Sequence, residues 1–300
     1  MAGFAVIDIG SNSIRYAEER EGRLRGKRVI TTRLGSGLSK TGRLAPETME
    51  RSLCVLRGLA EEARAKGLVP RAYATSAVRD AENGREFAEK VGRECGCPVE
   101  ILTGGEEARY AFLGASSGGR AFDGMLDIGG ASMQIVTEDH AVSFPAGCVR
   151  CADIAREAAN APDCDYAWKL QREAVRGYIA RLTEGYDPPR IRRLVGVGGT
   201  ITTLAALEAG LEAFDVQAVE SRVLTRESVE AMISRLAEMG GGRRLHPLLR
   251  ERHDVILYGA YILACALELI GAERMGVSCA DGMEGYLSIL KQREAEHGND

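Results

Sequence analysis

One short pattern occurs twice in the chain. Phe4 to Arg15 reads Phe-Ala-Val-Ile-Asp-Ile-Gly-Ser-Asn-Ser-Ile-Arg, and Met125 to Gln134 reads Met-Leu-Asp-Ile-Gly-Gly-Ala-Ser-Met-Gln. At a constant offset (127 − 8 = 119), Asp8 falls on Asp127, Ile9 on Ile128, Gly10 on Gly129 and Ser13 on Ser132. The repeated unit is a strand, an acid and a small-residue turn. A short apolar run makes a buried strand that delivers its terminal Asp to a cleft, and glycine lets the turn bring backbone N–H groups close to a ligand. Such donors suit phosphate, and an acid beside phosphate calls for a cation between them. Two copies imply two facing lobes that clamp a phosphorylated ligand. Taken singly, each copy also reads as an ordinary hairpin turn after a buried strand.

The 300 residues suit two domains of about 150 residues each. Hydrophobic content of 45%, charged content of 27% and eight prolines describe a globular chain, and a net charge of −4 argues against a broad nucleic-acid surface. No apolar run approaches the roughly 18 residues that span a bilayer. The N-terminus enters a strand without a basic region or cleavage pattern, so the expectation is a cytoplasmic protein with no membrane partner. Eight cysteines (Cys54, Cys95, Cys97, Cys148, Cys151, Cys164, Cys265 and Cys279) form no framework, and Cys148-x-x-Cys151 lacks the second pair that a zinc site needs. His140, His246, His253 and His297 have no metal spacing.

Strands are expected at Ile14–Glu19 and Arg25–Arg33 around Gly22, then an amphipathic helix from Pro46 to Lys66. A strand at Arg71–Thr75 leads through a turn holding Ser76 and Arg79 to a helix near 84–94, opened by an Asn83/Glu86 capping box. Val99–Leu102 is a further strand, followed by Gly104-Gly105-Glu106-Glu107 and a helix to about Gly114. Beyond the second turn, Gln134–Thr137 and Ala141–Phe144 repeat the hairpin. A helix from about Asp165 to Thr183 precedes Leu194–Val197, which runs into Gly198-Gly199-Thr200 and an apolar helix, Ile201–Ala209. That junction is a third glycine turn whose helix N-terminus offers N–H groups to an anion. Thr225 caps a helix to about Glu238, Gly240-Gly241-Gly242 is a flexible break, and Val255–Ile270 is an apolar helix. A last strand at Arg274–Ser278 precedes a helix from Asp281. Alternating strands and helices define an α/β chain. No linker separates the halves, so they should be hinged by crossing chains and share one cleft.

Three glycine turns in this order resemble the actin, sugar-kinase and Hsp70 superfamily. Within it the chain resembles the exopolyphosphatase and guanosine pentaphosphatase family, through Ile7-Asp8-Ile9-Gly10-Ser11-Asn12-Ser13, Ala74-Thr75-Ser76-Ala77-Val78-Arg79, Gly105-Glu106-Glu107-Ala108-Arg109, Asp127-Ile128-Gly129-Gly130, Pro145-Ala146-Gly147-Cys148-Val149-Arg150 and Gly196-Val197-Gly198-Gly199-Thr200. The resemblance implies two duplicated ribonuclease-H-like (actin-like ATPase) lobes around a central cleft. Residues 1–122, completed by the helix 281–300, would form one lobe, and 123–280 the other. It implies hydrolysis of a terminal phosphoanhydride of inorganic polyphosphate or of guanosine pentaphosphate, with Mg2+ or another divalent cation. Homodimers are common in such families.

Carried over residue by residue, the resemblance makes Glu107 the base that takes a proton from water and Arg79 the arginine that neutralises phosphate. It makes Asp127, with its counterpart Asp8, the metal-holding acid. Gly10, Ser11, Asn12, Ser13, Gly129, Gly130, Ala131, Ser132, Gly198, Gly199 and Thr200 would bind phosphate. Competing roles exist for several of these. Glu106 and Glu107 both suit the positive first turn of a helix, Arg79 can pair with Asp80 or Glu82, and each Asp can cap its own turn. The match departs where relatives read Asp-Ile-Gly-Gly-Gly-Ser-Thr-Glu. Ala131 replaces a glycine, Met133 a threonine, and Gln134 the acid associated with the metal, keeping an oxygen ligand but losing its charge. A weakened phosphate or guanosine tetraphosphate sensor, which Gln134 motivates, and an ATP-dependent phosphotransferase, which the resemblance to the wider superfamily implies, stand as alternatives to the hydrolase.

Overall fold

A computed structural model describes residues 3–119, 121–159 and 167–297. The chain divides into two compact units, Met1–Ser117 with Ala280–Asp300, and Gly118–Cys279.

In the first unit, β1 (Phe4–Ile9), β2 (Ser13–Arg20) and β3 (Arg23–Thr31) form an antiparallel meander. Strands β4 (Val69–Ala74) and β5 (Val99–Ile101) then add in parallel on the other side of β1, for the order β3-β2-β1-β4-β5. Every residue of β1 is buried, because both faces of the sheet are covered. Alternation sorts its side chains. Ala5, Ile7 and Ile9 join Leu53 and Leu56 of the helix Pro46–Ala65, whereas Phe4 and Val6 join Met283, Tyr286, Leu287 and Leu290 of the helix Gly282–His297. Asp8, in step with Phe4 and Val6, therefore faces the C-terminal helix. That helix also crosses the helix Gly104–Ser117 at close range, where a Cβ on Gly114 would lie 1.7 Å from the Asp281 carbonyl oxygen and one on Gly285 1.9 Å from that of Tyr110. Only glycine fits either place.

The second unit repeats the plan with β6 (Gly124–Ile128), β7 (Met133–Val136), β8 (Ala141–Phe144), β9 (Leu194–Val197), β10 (Val223–Thr225) and β11 (Arg274–Val277), ordered β10-β11-β9-β6-β7-β8. Strands β6, β7 and β8 are the meander, and β9 and β11 the parallel additions. Both sheets thus have the ribonuclease-H-like order that the resemblance implies, with β10 as an extra antiparallel edge in the second. No helix among the described residues is long and apolar enough to cross a membrane.

Several local expectations change. Asn83 makes no side-chain cap; its amide instead brackets Leu44, accepting from Leu44 N at 2.8 Å and donating to Leu44 O at 3.0 Å. Tying down a distant loop satisfies two buried backbone groups and outcompetes the local cap. The turn at Ser76 is a short helix, Ser76–Asp80, and a helix at Cys148–Ala159 follows the Pro-Ala-Gly motif. Gly240–Leu245 is a 3-10 helix rather than a flexible break. Thr225 caps its helix through a reciprocal box with Ser228. The helix expected from Asp165 is described from Ala167 to Leu182; its first residues, and Cys164, lie outside the described residues, as does the His297 side chain.

Candidate functional site

The repeat persists in hydrogen bonding. Gly10 N–H donates to Ser13 O at 3.1 Å, and Gly129 N–H to Ser132 O at 2.9 Å. Asp8 pairs in register with Arg15 across β1 and β2, and Asp127 with Gln134 across β6 and β7, again 119 apart (134 − 15 = 119).

Each turn is held by its carbonyls. In the first unit, Ser11 O accepts from Gly35 N at 2.8 Å and Asn12 O from Arg33 N at 2.8 Å. In the second, the N-terminus of the helix Cys148–Ala159 does this work, with Cys148 N bonding Gly129 O at 3.0 Å and Val149 N bonding Gly130 O at 2.7 Å, while Arg150 Nε donates to Ala131 O at 3.2 Å. Carbonyls turned toward these donors leave the opposite side of the turn to N–H groups, the polarity an anion needs. Neither Gly129, Gly130 nor Ala131 has a positive φ, so the alanine carries no backbone strain. The hydroxyls largely brace the turns: Ser13 Oγ receives Asn12 Nδ2 at 3.2 Å, and buried Ser11 and Ser76 meet Oγ to Oγ at 3.3 Å.

Glu106 and Glu107 have separate tasks. Thr103 and Glu106 form a reciprocal cap, Glu106 N donating to Thr103 Oγ1 at 3.2 Å and Thr103 N to Glu106 Oε2 at 2.8 Å. With the cap filled, Glu107 turns to Arg79, whose Nη1 donates to its Oε2 at 2.8 Å and to Leu102 O at 3.1 Å. Arg79 Nε reaches Asp80 at 3.2 Å, and Nη2 has no partner among the described residues. Burial pushes the Glu107 carboxyl above its ordinary range, outweighing the pull of Arg79. A carboxylate of raised proton affinity, held by an arginine in a sheltered place, is equipped to accept a proton.

In the second unit, Gln134 is buried, and its Nε2 donates to Ser132 Oγ at 2.9 Å and Ser143 Oγ at 3.2 Å. These bonds fix the amide's orientation and leave Oε1 buried with no hydrogen-bond partner among the described residues. Asp127, its register partner on the same face of the sheet, reaches the third glycine turn. A Cβ on Gly198, which has φ 88°, would lie 2.3 Å from Asp127 Oδ1. No cluster of three or more His, Cys, Asp or Glu able to hold a metal occurs among the described residues. One carboxylate and one unpartnered amide oxygen nevertheless form an all-oxygen donor pair of the kind Mg2+ accepts when substrate phosphates and water complete its shell.

The third turn opens the helix Gly198–Glu208. Thr200 is buried there, and Arg252 Nη1 donates to Gly199 O at 2.5 Å. Arg252 is a functional candidate that no local signal in the sequence marks, since 53 residues separate it from Gly199. Arg15 was within reach of sequence reasoning, because the hairpin register alone sets it opposite Asp8. The Thr103-x-x-Glu106 box also has a readable spacing.

The chain is similar to several known proteins. Exopolyphosphatase 2 of Mycobacterium tuberculosis is 34% identical over 95% of this chain and 98% of its own length. The crystal structure of an exopolyphosphatase-like protein superposes with a TM-score of 0.85 at 28% identity, covering 97% of this chain and 99% of the other. The Aquifex aeolicus Ppx/GppA family member superposes with a TM-score of 0.75 at 30% identity, over 97% and 98% of the two chains. With the model of the Ppx/GppA phosphatase family matching residues 23–291, the chain belongs to that family.

Proposed function

We propose that the chain releases terminal phosphate from inorganic polyphosphate by attack of water, with Glu107 as general base. The water oxygen bonds to the terminal phosphorus, the bridging P–O bond breaks, and the shortened chain leaves with that electron pair while Glu107 takes the water proton. The observation that carries this is the division of labour on one helix, in which Glu106 fills the cap and Glu107 is left half-buried against Arg79 with its proton affinity raised. Arg79 Nη2 is suited to a phosphate oxygen. Asp127 and Gln134 are the residues we assign to a divalent cation, which when bound would offset charge on the phosphate oxygens. A relative named Exopolyphosphatase 2 favours polyphosphate as first substrate, and guanosine pentaphosphate, with the same kind of terminal bond, is the second.

Phosphate release from polyphosphate with Mg2+ tests the proposal. Glu107→Gln should lower kcat by about 10²–10⁴ with little change in KM, whereas Glu106→Ala should lower stability by about 1 kcal/mol and spare turnover. Equal rates for wild type and Glu107→Gln would sink it. The neutral amide at Gln134 favours one second reading, a polyphosphate or guanosine tetraphosphate sensor. Tight binding without turnover, with turnover restored by Gln134→Glu, would select it.

A further inference from the structure

We propose that the first acid turn is not a cation site. Arg15 stands where its cation would be and latches Asp8 to the C-terminal helix, so that of the two acid turns only the one at Asp127 anchors a divalent cation. The assignment at Asp127 rests on the function proposed above; the latch does not.

The two copies differ at one register position. Opposite Asp127 is Gln134, a neutral amide whose nitrogen is held by two serines and whose oxygen is unpartnered among the described residues. Opposite Asp8 is Arg15, whose Nε donates to Asp8 Oδ2 at 2.6 Å and whose Nη2 pairs with the same oxygen. A guanidinium stays charged at any working pH, so a divalent cation at Asp8 would sit against a fixed positive charge. Hard cations are held by accumulated negative oxygen; Asp8 Oδ1 has no hydrogen-bond partner among the described residues, but the guanidinium already bound at Oδ2 opposes a second positive charge on the same carboxylate.

Arg15 cannot simply swing aside. Its Nη1 pairs with Asp281, whose side chain accepts from Met283 N at 3.0 Å at the start of the helix Gly282–His297. Lys27 Nζ lies 3.3 Å from Asp281 and 3.3 Å from Glu284. Asp8 and Asp281 are both buried, so withdrawing Arg15 would strand the Asp8 carboxylate inside the unit and leave Asp281 to Lys27 alone. The arrangement suits a latch: alternation along β1 points Asp8 at the same helix that Phe4 and Val6 pack against, and the ion pairs continue that apolar contact to its N-terminal end.

The test uses the full chain and Mn2+ alone, read by the loss of the free-ion EPR signal, together with amide hydrogen exchange. Wild type should bind one Mn2+ per chain. Asp8→Asn should leave that affinity unchanged, and Asp127→Asn should weaken it by more than about tenfold, the lower end for disturbing a metal's surroundings. Arg15→Gln should speed exchange in residues 282–297 and leave the other helices as they were. Two Mn2+ per chain in wild type, or weakening by Asp8→Asn to match Asp127→Asn, overturns the proposal, as does unchanged exchange in Arg15→Gln. If Asp8→Asn does not fold, the wild-type stoichiometry and the Arg15→Gln exchange still decide it. No Mn2+ binding at all would remove the cation from Asp127 while the exchange result stands on its own for the latch.

Discussion

Gly147 offers a test of how the second acid turn is held, since the change is one methyl group and the collision is with backbone. A Cβ at Gly147 would lie 2.3 Å from Ala131 N, 2.3 Å from the Gly130 carbonyl carbon and 2.4 Å from Ser132 N. Ordinary contact begins near 3.4 Å. The turn must therefore retreat by about 1 Å (3.4 − 2.3), and no side-chain rotation can absorb the shift. Retreat strains the bonds from Cys148 N to Gly129 O and from Val149 N to Gly130 O. Overpacking of this kind costs about 1–3 kcal/mol, and two weakened hydrogen bonds add about 1 kcal/mol each, so Gly147→Ala should destabilise the second unit by about 3–5 kcal/mol. Since a 1 Å misplacement of a positioning group costs on the order of 10² in rate, phosphate release from the folded variant should fall comparably. Gly147 has no positive φ, so backbone conformation does not confuse the result. Trp168, the one tryptophan, packs against the core of this unit and reports its urea transition. The control is Gly177→Ala within the helix Ala167–Leu182, where the new methyl would meet only Arg181 Nη1, at 3.6 Å. It should stabilise by about 0.5–1 kcal/mol. If Gly147→Ala unfolds within about 0.5 kcal/mol of wild type, as an ordinary surface change does, or keeps full phosphate release, the turn is not held as described.

Two further outcomes follow from the first unit. Because burial raises the Glu107 carboxyl above the 4.5 of an ordinary glutamate and a base must be unprotonated to act, kcat/KM should fall as pH drops through that raised value, and the acid limb should vanish in Glu107→Gln; a pH–rate profile whose limb lies at or below the ordinary value contradicts the assignment. Asn83→Ala leaves two buried Leu44 backbone groups unpaired and should cost about 1–3 kcal/mol in urea unfolding. Asn83→Ser, a good helix cap that cannot bracket Leu44, should not recover that loss, and its full recovery would restore the capping role.

Periodicity and spacing determined much of this protein. The 119-residue offset announced two copies of one sheet, and the alternation of apolar runs and helical stripes located most elements, because burial of a strand or a helix face leaves its period in the sequence. The resemblance singled out Glu107, Arg79, Asp127 and Gln134. Three kinds of fact waited for the tertiary structure, each settled by a partner far away in sequence. Which of two adjacent glutamates is left outside the helix cap depended on Thr103 claiming Glu106 and on Arg79 reaching Glu107 from another helix. Asn83 gave up its local cap because Leu44, 39 residues back, presents two buried backbone groups that the Asn83 amide satisfies together. Asp8 and Asp127 look equivalent along the chain, yet one meets a guanidinium tied to Asp281, 266 residues beyond Arg15, and the other stands in register with an amide whose oxygen has no partner among the described residues. Local propensity follows from neighbours in sequence, whereas a buried polar group is governed by whichever donor or acceptor the fold brings to it, since leaving it unmatched costs more than any local preference returns.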